Sequence, residues 1–418
     1  MTERDRTTAL RIDGPRLLAR LVELGRIGDT GDGGTNRLAL TDADRAGRDL
    51  VVAWMRDLDL DVRIDAIGNV IATRAGHVDG PPVMTGSHID TVRTGGRYDG
   101  NLGVLAGLEI IETLQRAGIT TDRPLAVGFF TNEEGSRFAP DMMGSLTYVG
   151  GMTVDEAREV TDAEGTSVGA ELDRIAYAGA HPCPGPAPHA FVELHIEQGP
   201  VLEAEALTIG AVTGVQGISW QEITIVGQSN HAGTTPIALR HDAGYAAAAI
   251  TTFVRDLATE MGGHQVGTVG VTRLHPDLVN VIAATATLTV DLRNTDGELL
   301  HQAEARLARF LDELAEREGV TITSRPLARF DPVEFADEVV ERVEAWAEQL
   351  GLGHRRMPSG AGHDAQMLAR VCPAGMVFVP SHDGISHNPR EHTNPSDLEA
   401  GANVLLQVLL DLATLDPE

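Results

Sequence analysis

The 418-residue chain predicts an α/β fold in which a discontinuous sheet-and-helix domain is interrupted by one compact α+β insertion. Three observations predict it. Apolar strand-like runs alternate with amphipathic helices in both end portions of the chain, the pattern of a sheet covered on both faces. From Gly214 the order changes to strand–helix–strand–strand–helix–strand, the ferredoxin-like pattern, over about a hundred residues. The chain is also longer than one core usually serves, so at least two domains are expected. The expected bounds are 1–213 and 330–418 for the split domain and 214–329 for the insertion.

The elements follow in order. Asp13-Gly-Pro15 before Leu17, Leu18, Leu21 and Leu24 reads as a capped amphipathic helix, and Thr41 caps a second one through Leu58. Val62–Ile64 and Asn69–Thr73 form a hairpin around Ile67-Gly68. Pro82–Thr85 and Leu125–Thr131 are short buried strands that flank a helix over Leu102–Gln115. The insertion holds strands at Ser219–Val226, Val266–Arg273, Thr285–Arg293 and Val320–Pro326, with helices at Ala243–Glu260 and Asp296–Glu318. Alternation then resumes with Phe335–Leu350, Asp364–Ala369, Met376–Val379 and Leu398–Leu412.

Composition excludes several classes of function. The formal net charge is −28 and lysine is absent, which disfavours nucleic acid and anionic membranes as partners. No run of 18 or more apolar residues suggests a membrane span, and the mixed-charge start, Met1-Thr-Glu-Arg-Asp-Arg6, does not read as a signal peptide. Two distant cysteines, Cys183 and Cys372, suit a reducing cytoplasm.

Five segments carry the chemistry. Gly86-Ser-His88-Ile-Asp90 follows a predicted strand, where open α/β sheets place their ligands. His88 offers an imidazole and Asp90 can fix its tautomer, although the pair alone also reads as a surface turn. Asp99, in a glycine-rich loop before a helix, reads either as a helix cap or as a carboxylate bridging two cations. Glu133 and Glu134 end another apolar strand, so one can ligate while the other stays free as a base; the bland alternative is a solvated acidic turn. His195 alternates with Leu194 and Ile196, as a satisfied core histidine would, and His387 lies in a polar turn before the last helix. Together, His88, Asp99, Glu134, His195 and His387 suit two zinc-like ions about 3.5–4 Å apart.

These segments resemble a known family, the dinuclear metallo-amidohydrolases that include N-carbamoyl-L-amino-acid hydrolases, allantoate amidohydrolases and β-ureidopropionases. The family is related to metal-dependent aminoacylases and carboxypeptidases. The matching stretches are GSHIDTV, GGRYDGNLGVLAGLE, TNEEGSRF, ELHIEQGPVLE, GQSNHAGTTP, SGAGHDA and GISHNPREHT, in family order from Asn69 to Thr393. The resemblance implies a zinc-peptidase-like catalytic domain with a mixed central sheet and an inserted lid and dimerisation domain. It implies two divalent ions (Zn, Mn, Co or Ni), with His88 and His195 on one, Glu134 and His387 on the other, and Asp99 between them. Glu133 would be the general base, moving a proton from water to the leaving nitrogen, and Asp90 would orient His88. His231 would reach a neighbouring subunit's site, which makes the protein at least a homodimer. Asn280 and Arg293 would hold the carboxylate of a small substrate, an arginine being suited by its planar fork. Gln198, Gln216 and the backbone of Gly362 and His363 would meet the ureido or amide group. A histidine at 195, where the peptidase branches usually carry a carboxylate, followed by Glu197-Gln198-Gly199, favours the carbamoylase and allantoate branch, and the Gly214–Trp220 entry to the insertion resembles the carbamoylases. Allantoate, ureidoglycolate, N-carbamoyl-β-alanine and N-acyl amino acids remain open as substrates.

Overall fold

A computed structural model describes residues 7–415 of the chain, which divide into two compact units. One comprises the chain up to Gly214 and from Glu334 onward, the other Val215–Val333.

In the first unit, helix ends follow local chemistry. The Asp13 side chain accepts from the Arg16 N–H to start Gly14–Gly25, and Thr41 accepts from Asp44 to start Asp42–Asp57. Strands β1 (Asp61–Ile64) and β2 (Val70–Arg74) form the expected hairpin. β3 (Val83–His88), β4 (Leu125–Phe130) and β5 (Ala190–Ile196) are buried at every residue, β4 as a continuous apolar run and β3 and β5 with polar side chains among their apolar ones. β3 lies parallel to both β4 and β5, so His88 sits opposite Phe130 at one common end. Helix Asn101–Ala117 crosses β3 closely. At Gly103 a Cβ would come within 2.7 Å of the Leu194 carbonyl, so only glycine permits that approach. β6 (Ile209–Val215) closes this portion of the chain.

The second unit runs β7 (Gly217–Val226), helix Ala243–Met261, β8 (Val266–His275), β9 (Thr285–Asn294), helix Gly297–Glu318 and β10 (Thr321–Phe330). Its antiparallel sheet has the order β10–β7–β9–β8. Ile223, Ile225, Leu288, Val290 and Leu292 pack on Ile250, Val254, Leu257, Leu307 and Leu314 of the two helices, giving this unit its own core.

After β11 (Val333–Glu334) come β12 (His354–Ser359) and β13 (Ala374–Val379). The large sheet has the order β1–β2–β4–β3–β5–β13–β6–β11, with β12 on β6. β13 is parallel to β5 and antiparallel to β6, so the sheet is mixed. β6, β11 and β12 were not expected from the sequence; β11 is two residues long, and β12 carries His354, Arg355 and Arg356. Among the described residues no helix is long and apolar enough to cross a membrane.

Candidate metal centre

Three strand ends and two loops of the first unit converge. His88 ends β3, His195 lies one residue from the end of β5, and Glu133 and Glu134 follow β4 by three and four residues. Asp99 precedes helix Asn101–Ala117, whose cap is Gly100 with no side-chain bond; Asp99 is therefore not a helix cap. Gly100 has φ +66°, and a Cβ there would lie 2.4 Å from the His88 ring. Only glycine lets the imidazole enter.

Asp99 is the hub. Its Oδ1 lies 3.5 Å from His88 Nε2 and 3.2 Å from His195 Nε2. Its Oδ2 lies 3.4 Å from His387 Nε2, which is itself 3.3 Å from Glu134 Oε2. Two ligands on a tetrahedral ion at about 2.1 Å are separated by about 3.4 Å, so each of these spacings fits one edge of such a shell. The donors group as His88, Asp99 and His195, and as Asp99, Glu134 and His387, with Asp99 in both. Glu133 belongs to neither, although its Oε2 is 3.4 Å from His88 Nε2.

Hydrogen bonds set the tautomers. His88 Nδ1 donates to the Asp90 main-chain oxygen at 2.9 Å, and His195 Nδ1 donates to the Ile196 oxygen at 2.8 Å. A carbonyl only accepts, so both rings carry their proton on Nδ1 and present Nε2 as the acceptor; in His195 that Nε2 accepts from the Gly100 N–H at 3.1 Å. The Asp90 carboxylate, by contrast, is 3.9 Å from His88 and instead accepts from the Glu133 and Glu134 N–H groups. Asp90 thus orients His88 through its carbonyl and the Glu-Glu turn through its side chain. Gln198 and His387 hold φ of +56° and +54°, a conformation costing on the order of 1 kcal/mol each and typical of functional sites.

The charge balance calls for cations. Burial pushes the Glu133 carboxyl well above its usual range, helped by Asp364, Glu134 and Asp90 against His88. Burial and then Asp99 raise Glu134 to about 8. The hydrogen bond to Asp99 raises His387 to about 9, and for His88 and His195 the surrounding carboxylates outweigh burial and raise both. Burial opposes it, but the three imidazoles hold Asp99 well below the usual carboxylate range. The group combines buried carboxylates with imidazoles, and its nitrogen and oxygen donors suit divalent ions.

A cavity of about 110 Å³ lies over these donors, bordered also by Gln198, Gly362 and His363. Gln198 Nε2 donates to Asp99 Oδ2 at 2.8 Å, while its buried Oε1 has no hydrogen-bond partner among the described residues. His363 is buried, and its ring is held with Nε2 2.8 Å from Ser359 Oγ. A larger cleft of about 950 Å³, beside the β1–β2 hairpin, contains none of these residues.

The remaining predicted residues lie in the second unit. His231 is exposed, and its Nδ1 accepts from the Gly233 N–H at 3.1 Å, which puts the proton of a neutral ring on Nε2 as a donor. Asn280 is exposed and Gln216 buried. Arg293 is engaged: it reaches Asp291 through Nε and Nη2 at 3.1 and 2.9 Å and lies 5.8 Å over the Trp220 ring.

Residue-by-residue reading missed the supports. Glu391 Oε1 accepts from the Tyr98 and Asp99 N–H groups, and its Oε2 from Ser386 Oγ, which also reaches Asp99 Oδ2 at 2.9 Å. Burial, then Asp99, raises Glu391 to about 7. Glu193, fully buried, accepts from Ser87 Oγ and the Ala365 N–H. The one available signal was a carboxylate inside an otherwise apolar strand.

Residues 84–411 match the model of peptidase family M20/M25/M40. The chain is 41% identical over 406 residues to an N-carbamoyl-L-amino-acid amidohydrolase of Rhizobium meliloti, covering 97% of this chain and 98% of the relative. It is 34% identical over 429 residues to a ureidoglycolate hydrolase of Arabidopsis thaliana, covering 97% and 88%. A solved amidase of the hydantoinase/carbamoylase family from Burkholderia multivorans superposes with a TM-score of 0.95 at 46% identity, over 97% of this chain and 99% of that one.

Proposed function

This chain belongs to peptidase family M20/M25/M40, and from that premise we propose that it hydrolyses an N-carbamoyl-L-amino acid to the amino acid, carbon dioxide and ammonia. The family expected from the motifs is borne out, and with it a hydrolase of linear, non-peptide C–N bonds. The observation that carries the chemistry is the placement of Asp99, with one oxygen toward His88 and His195 and the other toward His387 beside Glu134. In this reading those five residues hold two divalent ions, and Zn, Mn, Co and Ni all accept such a nitrogen/oxygen set. Bound there, the ions supply Lewis acidity and lower the pKa of water from 15.7 towards ~7.

The protein's own groups do the rest. Glu133, outside both donor groups, takes a proton from the attacking water and returns it to the leaving nitrogen. The unpaired Gln198 Oε1 accepts from a ureido N–H, and the Gly362–His363 backbone borders the same space. Gln216 and Asn280 take further polar contacts to the substrate. Arg293 grips the substrate carboxylate by exchanging it for Asp291.

His231 serves the site of a second subunit, its Nε2–H aimed at the developing oxyanion. The second unit supports dimerisation: no strand pairs the outer edge of β8 among the described residues, and Val266, Val271 and Leu274 on it are exposed. A cytoplasmic setting agrees with the free thiols of Cys183 and Cys372.

Ammonia release tests the reading. The stripped protein, reconstituted with Mn or Zn, is offered N-carbamoyl-L-amino acids, N-carbamoyl-β-alanine, allantoate and ureidoglycolate. Metal-dependent release from the first group is expected. Release from ureidoglycolate alone would favour the second reading, which rests on the similarity to the plant hydrolase. Silence across the panel with ions bound would overturn both. Mixed dimers of His231→Ala and Glu133→Gln subunits should recover activity that neither parent has, and verified heterodimers without recovery would remove the trans role.

A further inference from the structure

Arg37 lies outside the 84–411 span matched by the family and outside every motif singled out above. It is fully buried, and its guanidinium makes four hydrogen bonds, each to a neutral oxygen. Nε donates to the Ile89 carbonyl at 2.7 Å, and Nη1 to the Leu24 and Ile27 carbonyls at 3.1 and 2.8 Å. Nη2 donates to Asn101 Oδ1 at 2.8 Å. Ile89 sits between His88 and Asp90, and Asn101 follows Asp99 by two residues. One planar fork therefore touches both ends of the segment that joins His88 to Asp99.

The main chain reinforces this. Arg37 N donates to Thr91 Oγ1 at 2.8 Å, and Thr91 N donates to the Arg37 carbonyl at 2.9 Å. Thr35 and Gly95 exchange both backbone bonds, at 2.8 and 3.1 Å. Residues 35–37 thus run as an extra strip along the loop between the two donors. The arrangement is costly, because a buried cation bonded to no carboxylate gives up water for neutral acceptors alone. Burial lowers its pKa only to about 10, against Asp44 and Asp90, so it is charged at neutral pH. Even the neighbouring helix makes room: a Cβ at Gly47 would lie 2.8 Å from Arg37 Cδ. A core that needed only volume here would be served by an apolar side chain. What the guanidinium adds is a fixed distance between acceptors on two segments, because its donors sit in a rigid plane.

We propose that Arg37 is a positioning residue for the metal centre, setting the span between His88 and Asp99 by tying Ile89 and Asn101 to one fork. The proposal rests on the metal reading above, because its purpose is to hold two donors at ion-binding distance. Lysine keeps the charge but offers one point donor, and cannot hold both acceptors at a set separation.

The test is cobalt(II) binding to the full-length apoprotein, followed by visible absorption and chelator competition, with thermal unfolding measured alongside. Arg37→Lys should weaken cobalt binding by about 10–100-fold, the usual cost of losing an outer support, and should change the spectrum of the bound ion. In Arg37→Ala, added guanidinium should restore part of the affinity. Wild-type affinity and spectrum in Arg37→Lys would overturn the proposal even if its Tm fell, leaving Arg37 a core residue only. If the Arg37 variants do not fold, Gly47→Ala, which crowds the arginine stem, is read in the same way: weakened binding in a folded protein supports the role, and unchanged binding overturns it. A wild-type protein that binds no cobalt at all would sink the metal reading itself, and this inference with it.

Discussion

On the proposed mechanism, replacing Glu133 with glutamine should separate proton transfer from ion binding. The amide has the shape of the carboxyl group it replaces, and Glu133 is only 8% exposed, so packing is preserved. Its N–H still donates to Asp90 Oδ1 at 3.3 Å, which keeps the turn in place for Glu134. Because Glu133 belongs to neither donor group, the ion content should not change. What is lost, on that mechanism, is the base. Burial, then Asp364, Glu134 and Asp90, hold that carboxyl well above its usual range despite His88, which strengthens it as a proton acceptor. A positioned general base contributes about 100- to 10,000-fold, or about 3–5 kcal/mol of barrier at about 1.36 kcal/mol per tenfold. The variant should therefore lose turnover on that scale while binding its ions normally. Replacing a buried, proton-binding carboxyl with a neutral amide should also leave the apoprotein at least as stable as the wild type. The assay is kcat of manganese-reconstituted protein beside its metal content and the apo Tm. Turnover within about threefold of wild type would remove Glu133 from the mechanism. Loss of ions in step with loss of activity would make it a ligand instead.

Three further outcomes follow from the same geometry. Glu134, Asp364 and Glu391 are raised to about 8, 8 and 7, in each case by burial first, so each binds its proton more tightly folded than unfolded. Their contribution to apo stability is full below the unfolded carboxyl value of about 4 and is lost as pH rises towards about 8. Thermal unfolding of chelator-treated protein should show Tm falling across that window, with added divalent ion flattening the slope; a Tm that rises there would contradict the charge balance. Gly100→Ala puts a methyl 2.4 Å from the His88 ring at φ +66° and should weaken divalent-ion binding by about 10–100-fold, with a stability loss of about 1–3 kcal/mol. Ion titration and thermal unfolding check both, and unchanged affinity would show that His88 is free to move. Arg293→Lys should raise KM by about tenfold or more with kcat little altered, since losing the fork costs ground-state and transition-state binding alike. A fall in kcat at constant KM would place Arg293 in the chemistry.

Much of the first-unit fold was legible because its signals are local. Asp13 and Thr41 announce their helices through bonds to backbone three residues away, and the mainly apolar runs of β3, β4 and β5 suit a sheet covered on both faces. The donors were legible as chemistry, since His88, the Glu133–Glu134 pair, His195 and His387 each stand at a strand end or in a glycine-bearing loop. β11 and β12 escaped because a two-residue strand and one carrying three basic side chains have no period of their own, and β6 because two glycines and a threonine interrupt its apolar run; the rest of the sheet calls them into it.

The division between local and distant contacts also runs through the site. Reading along the chain could say that Asp90 serves His88. It could not say that the carbonyl does so while the carboxylate turns to residues more than forty positions away. Nor could it join Glu391 to Asp99 across 292 residues, or Arg37 to Asn101 across 64, because neither pair leaves a spacing or a period in the sequence. Residue types declare which atoms can hold a cation or a proton. Which of those atoms meet, and at what distance, depends on how the strands register and on what is buried behind them, and only the folded chain sets that.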